Sequence, residues 1–328
     1  VNRRQRFPKP RPGAAPLDDR AIAAALQASA HRPILLTEVL RCLQPGPGDV
    51  VVDATLGGGG HARALLAHIA PGGRLIGLDV DPAALAGTER RLRDAGFGAT
   101  VFVARQASFA DLPEVLAAEG VDAASIVLVD LGVSAMQLDD PARGLHYKAV
   151  GPLDLRLDPS RGEPASALLA RLDADAIARL LTANADEPYA AEVATILARE
   201  RPATTHALTR LVRQGLESAV PGLPAPAIKL TVRRTLQALR IAVNDELTAL
   251  DRLLEALPGC LAPGGRVAIL TFHSGEDRRV KQAFREGHRR GLYASVAREV
   301  IRSQMDETRA NRRAMAAKLR WAVRGARR

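Results

Sequence analysis

The stretch VVVDATLGGGGHARALLAHI, residues 50–69, joins an apolar β-branched run ending in an acid to a helical pattern across four consecutive glycines. Each glycine forfeits backbone entropy on folding, and a shorter run suffices to turn a chain. The bare backbone therefore points to a close approach by a ligand. An apolar strand, a Gly-rich turn and a helix beginning near His61 form a nucleotide-binding βα unit. Gly57, Gly59 and Ala62 fit the G-x-G-x-x-[GA] pattern, and Asp79 stands where a ribose-binding acid belongs.

Outward from this unit, apolar segments alternate with helical ones. Strands are expected at 50–54, 74–79, 100–104, 126–131 and 266–272, with helices at 61–70, 83–95 and 111–118. Such alternation implies right-handed crossovers and a mostly parallel, doubly wound α/β sheet covered on both faces. After Leu131 the rhythm stops, and 137–228 reads as a helical insertion. A long helix around 234–257 then leads back to the sheet. The expected organisation is a basic, disordered extension over 1–30, a sheet domain over 31–136 and 229–328, and a substrate-recognition insertion between them.

The 328 residues carry a formal net charge of +10, unevenly placed. Residues 1–13 hold five Lys/Arg and no acid, and 273–328 hold sixteen Lys/Arg against six Asp/Glu, leaving a net of −5 in the body. Cationic ends on a slightly acidic body suit a polyanionic partner, because phosphates reward clustered basic groups through counterion release. No apolar run reaches the roughly 18 residues of a membrane span, and there is no signal-peptide core. Two cysteines, Cys42 and Cys260, make neither a disulfide framework nor a metal cluster. A cytoplasmic protein without a metal or a membrane partner is expected; a homodimer is compatible with the sequence.

Charge also selects among ligands. NAD, FAD and S-adenosylmethionine share the glycine-loop geometry, but a dinucleotide brings a pyrophosphate, whereas S-adenosylmethionine is net positive. Residues 50–61 contain no Lys or Arg, and three strands end in Asp53, Asp79 and Asp130. Carboxylates converging on the C-terminal edge of a parallel sheet favour a cationic guest, with Asp79 accepting both ribose hydroxyls. Amine methylation needs alignment of a nitrogen lone pair and an exit for a proton. Asp130, with Ser134 as helper, is the candidate for that task. His273 and Ser274, in LTFHSGEDRRVK (270–281), reach the same edge. SGEDR also reads as a helix start, with Ser274 as N-cap and Asp277 in the first turn.

Together these motifs resemble the ribosomal RNA small-subunit methyltransferase H family, the bacterial enzymes that methylate N4 of a decoding-centre cytidine. The resemblance rests on DATLGGGGH (53–61), DVDP (79–82), DLGVSAMQLDDPARG (130–144) and GPLDLRLD (151–158). It continues in TLQALRIAVNDEL (235–247), LAPGGR (261–266), FHSGEDR (272–278) and AKLR (317–320), in the family's order. It implies a class I methyltransferase fold with an inserted helical cap and S-adenosylmethionine as donor. The implied partner is 16S ribosomal RNA in the small subunit. It further implies cofactor contacts at Gly59, Gly60, His61, Asp79, Phe109, Asp130 and Gln137.

The target base must leave its stack. DNA amino methyltransferases stack it on the aromatic of a D/N/S-P-P-Y/F loop. Here DLGV places Val133 at that position, so Tyr147 and Phe272 are the stacking candidates. Arg143, Arg156, Arg233, Arg234 and Arg240 are candidates for phosphates. The chain departs from the family at Ala135, at GLHY (144–147), at Gly275, at Arg312 and in AAEVATILARE (190–200), where an arginine-rich helix is usual. Those departures leave open a divergent paralogue acting as an RNA-binding or ribosome-assembly factor with altered or lost methyl transfer.

Overall fold

The computed structural model describes residues 7–11, 32–147 and 150–326. It divides into two compact units, Val1–Gly132 with Ala249–Arg328, and Val133–Thr248.

The first unit is built on strands β1 (Val50–Asp53), β2 (Arg74–Asp79), β3 (Phe102–Gln106), β4 (Ala124–Asp130), β5 (Leu261–Thr271), β6 (Tyr293–Val296) and β7 (Lys318–Arg324). They form one sheet in the order β3-β2-β1-β4-β5-β7-β6. The first five are parallel, whereas β7 runs antiparallel to both β5 and β6. Val51, Leu75, Ile126 and Leu128 enter one apolar core, and Val52, Ile76, Val127 and Val129 enter the other. This period of two explains why the strands read as continuous apolar runs: both faces are covered. The doubly wound class I methyltransferase fold expected from the sequence is present. Strand order reverses between β1 and β4, and ligands of such sheets bind beyond the strand ends at that switch point.

Strands β6 and β7 are absent from the expected strands, although they fall in the 229–328 stretch assigned to the sheet domain. In β7, Leu319 and Trp321 join one core and Ala322 the other, but Lys318 and Arg320 interrupt the pattern. Arg320 is buried because Asp277 neutralises it at 2.7 Å, and Lys318 Nζ approaches the same carboxylate at 3.4 Å. That pairing across about forty residues hides the strand from any local reading.

Residues 7–11 correct the expected disordered extension. Phe7 packs on the first core beneath the Arg41 guanidinium, 5.9 Å from its ring centroid. Arg11 makes a two-pronged ion pair with buried Asp49, at 2.5 and 2.8 Å. The rest of 1–30 lies outside the described residues.

The second unit is helical: Ala165–Arg171, Ala174–Ala185, Ala190–Glu200, Thr205–Ala219 and Ala225–Asn244 surround a core that includes Leu153, Leu181, Val193, Leu208 and Leu239. Asp173 and Thr204 cap two of these helices through backbone amides of Ala176 and Ala207. Its limits differ from the 137–228 insertion read from sequence. The single helix expected at 234–257 is two helices, broken at Asp245, which adopts φ 50°. Asp is among the few residues that enter this region readily. Asn244 donates to the carbonyls of Leu155 and Arg240, and Arg240 clasps Glu246 across the break. The N-terminal helix of the pair therefore contributes its apolar face, through Ile228, Val232 and Leu236, to the helical core. Among the described residues no helix is long and apolar enough to cross a membrane.

Candidate active site

Register places the three aspartates on one rim. Asp53 is level with Gly77 of β2 and Leu128 of β4, so Asp79 and Asp130 each lie two residues further along neighbouring strands. Their roles differ. Asp79 shapes the loop, accepting from the amides of Gly57 at 2.8 Å and Asp81 at 2.9 Å, one on each oxygen, which leaves each a second lone pair. Its carboxylate thereby ties the glycine loop to β2. Asp53 is 1% exposed. Burial, opposed by the Thr55 amide and reinforced by Asp79, pushes it up to about 7.

Asp130 differs from both. Its amide donates to Thr55 Oγ1 at 2.6 Å, which orients the end of β4. Its Oδ1 is buried without a hydrogen-bond partner among the described residues. Its Oδ2 lies 3.5 Å from His61 Nδ1. His61 Nε2 is 3.0 Å from the carbonyl of Ile34, which can only accept, so Nε2 carries the hydrogen and Nδ1 a lone pair. Burial pushes the imidazole down to about 4. Burial first, then the charges of Asp53 and Glu276, push Asp130 up to about 8. At neutral pH the pair is therefore a protonated carboxyl facing a neutral imidazole.

The glycine loop is fixed by protein contacts as much as by ligand access. Gly57 and Gly59 have φ of 47° and 77°, where side chains are strained. A Cβ on Gly59 would lie 2.6 Å from Thr88 Cγ2, and one on Gly60 would press on the Pro33 ring at 3.2 Å. Around Gly58, by contrast, there is open space. Fully buried Thr88, which the sequence reading missed, also donates to the Gly57 carbonyl at 2.5 Å. The helix Gly60–Ile69 then starts with no side chain capping it, leaving a positive helix end at the loop.

Asp53 makes a pH signature. Its folded-state affinity for protons exceeds the unfolded one, so between about pH 4 and 7 the folded chain holds more protons and stability falls as pH rises. Urea unfolding of Asp53→Asn and the parent at pH 5, 6 and 7 should show the variant gaining about 1.4 kcal/mol per pH unit at most. A difference independent of pH would mean that Asp53 ionises normally.

At the end of β5 the expected cap moves by one residue. His273, not Ser274, is the N-cap of the helix Ser274–Arg289, and its partner in the capping box is Glu276. Glu276, another residue missed from sequence, is buried and accepts from the amides of Phe272 and His273 at 2.7 and 3.3 Å. His273 Nε2 sits 3.1 Å from Glu276 Oε1 without hydrogen-bond geometry. His273 is thus occupied in starting the helix, and Ser274 is exposed within its first turn. Asp277 serves the β7 basic pair. Phe272 lies beside Gly132, whose added Cβ would stand 3.5 Å from the ring. Phe109 opens a short 3-10 turn capped by Ser108 and packs against the second sheet core.

The remaining candidates lie in the helical unit. Ser134 and Gln137 form a capping box, Ser134 Oγ accepting from the Gln137 amide and Gln137 Oε1 from the Ser134 amide. Arg143 donates to the Leu157 carbonyl at 2.7 Å, Arg156 is paired with Asp154, and Arg240 with Glu246. Arg156 and Arg240 thus have carboxylates where phosphates were expected. Arg234 is half-buried, Arg233 is exposed, and Tyr147 leans on the helical core with its ring 5.2 Å from that of His146.

The MraW methylase family matches residues 28–325. The chain belongs to that family. Among curated relatives, Ribosomal RNA small subunit methyltransferase H 1 of Lachnoclostridium phytofermentans is 43% identical, covering 90% of this chain and 82% of the relative. Ribosomal RNA small subunit methyltransferase H of Halorhodospira halophila is 46% identical, covering 79% of this chain and 78% of the relative. A solved structure described as an rRNA methylase from Streptococcus thermophilus aligns with a TM-score of 0.40 and 12% identity, over 89% of this chain and 93% of that one. In this family member the rim combines an acidic strand edge, an uncapped helix end and a carboxylate oxygen, Asp130 Oδ1, without a hydrogen-bond partner among the described residues.

Proposed function

We propose that this protein transfers a methyl group from S-adenosylmethionine to the N4 amine of a cytidine in the decoding region of 16S ribosomal RNA. Family membership and the names of the relatives support the donor and the RNA class; the carrying observation is Asp130, its Oδ1 buried and without a partner at the switch point of the sheet. The donor supplies an electrophilic methyl on a cationic sulfur. Gly57–Gly60 and His61 would hold it through backbone, with the helix end toward its carboxylate and Asp79 toward its ribose. Phe109 and Gln137 are carried as further contacts, and Asp53 adds its field.

Three raised carboxyl groups fit a cation. Its positive charge would lower the proton affinity of Asp130, freeing the carboxylate when donor is bound. Asp130 would then accept a hydrogen from the target amine, hold the nitrogen lone pair in line, and take the proton that leaves after transfer. His61 lies beside the opposite oxygen, its Nδ1 3.5 Å away. Arg143, Arg234, Tyr147 and Phe272 are carried as candidates for contact with RNA.

Mapping N4-methylcytidine in 16S ribosomal RNA from cells with and without the gene tests the assignment. The expected result is loss of one modified cytidine, restored by the wild-type chain. An unchanged map together with retained binding to small subunits would favour the assembly-factor alternative.

A further inference from the structure

At the edge of the sheet opposite the three aspartates, residues 7–11, the turn preceding Arg266 and strands β6 and β7 enclose an open cavity of about 780 Å³. Arg266 pairs with Ile126 and Leu270 with Asp130, so four residues of β5, about 13 Å at the usual strand rise, separate the two edges. Lys9, Arg11, Arg266 and Arg298 line the cavity, and among the described residues no Asp or Glu does.

Arg266 is the unusual member. It is 4% exposed, and its Nη1 and Nη2 donate to the carbonyls of Cys42 and Lys9 at 3.3 and 2.9 Å. Its Nε is buried with no acceptor among the described residues. Burial, reinforced by the charge of Arg11, pushes the guanidinium down to about 10. Carbonyl dipoles do not neutralise a buried cation, and Asp49 is already clasped by Arg11. Half-buried Phe7 supplies flat apolar surface beside these charges, and Trp321, 4% exposed, lies in the cavity wall behind it. Excess positive charge beside an aromatic ring suits an anion joined to a planar group: the exposed Lys9 and Arg298 can meet a phosphate while buried Arg266 adds its field, and aromatics stack on bases.

We propose that this cavity is a second site, binding a nucleoside phosphate either as free nucleotide or as part of single-stranded RNA. The proposal is independent of methyl transfer. Trp321 is the sole tryptophan of the chain and lies in the cavity wall, so its fluorescence reports on changes there with no signal from a second indole. Uridine monophosphate, inorganic phosphate and a uridine pentanucleotide would each be titrated into the full chain, with and without S-adenosylhomocysteine.

The expected result is saturable quenching by uridine monophosphate, competition by inorganic phosphate and no dependence on S-adenosylhomocysteine. The exposed pair Lys9→Ala/Arg298→Ala should weaken binding about tenfold or more while leaving the melting curve intact. Tighter binding of the pentanucleotide would identify RNA as the source, and equal binding a free nucleotide. No saturable change at millimolar concentration with either uridine probe, or an unaltered affinity in the folded double variant, would overturn the proposal.

Discussion

Asp130→Asn is expected to slow single-turnover methyl transfer into small subunits by about 10²–10⁴-fold, the usual contribution of a positioned acid–base group. Donor affinity should change by about tenfold at most, because Asp53 and Asp79 keep their fields. Asparagine preserves shape but cannot accept the departing proton, so the loss should fall on the chemical step rather than on KM. The pH profile sharpens the expectation. Asp130 in the free protein is raised to about 8, and its ionised form is the acceptor, so kcat/KM should climb with pH and level off near 8. With the cationic donor bound the carboxylate ionises more easily, and the kcat profile should level off at lower pH. Equilibrium binding should tighten over the same rise in pH, since donor and proton oppose one another. An Asn variant retaining most of its rate, or a parental profile flat from pH 6 to 9, would remove Asp130 from the chemistry.

Gly59→Ala should cost about 2–4 kcal/mol of stability by combining left-handed backbone strain with an overpacked contact. The added methyl meets Thr88 Cγ2 at 2.6 Å, and Thr88 cannot swing aside without releasing the Gly57 carbonyl. Since the same loop is tied to Asp79, donor affinity should fall about tenfold or more with it. Gly58→Ala, with an ordinary φ and open space, should leave the apoprotein within about 1 kcal/mol of the parent. Denaturant unfolding and donor calorimetry check both. The double variant Gly59→Ala/Thr88→Ser, which deletes the offending methyl, should recover part of the loss. Equal effects at Gly58 and Gly59, or no recovery from Thr88→Ser, would show that the two glycines do not differ in the way their surroundings imply.

Local chemistry made the core of the fold readable. Apolar runs of four to seven residues, glycines at the first turn and an acid at the end of β1, β2 and β4 occur within short windows, so spacing alone exposed the doubly wound sheet and its acidic rim. The quoted motifs likewise identified the family from primary structure. What required three dimensions was every feature made by partners far apart in the chain. Asp277 conceals β7 by neutralising Arg320, and Ile34 fixes the tautomer through which His61 faces Asp130. Thr88 selects Gly59, Asn244 and Asp245 divide a helix that reads as one, and residues 7–11 settle on the sheet. Periodicity records which face of an element meets apolar surroundings. It carries no record of which distant charge, carbonyl or methyl waits there, and those pairings decide which carboxylate oxygen is left without a partner among the described residues.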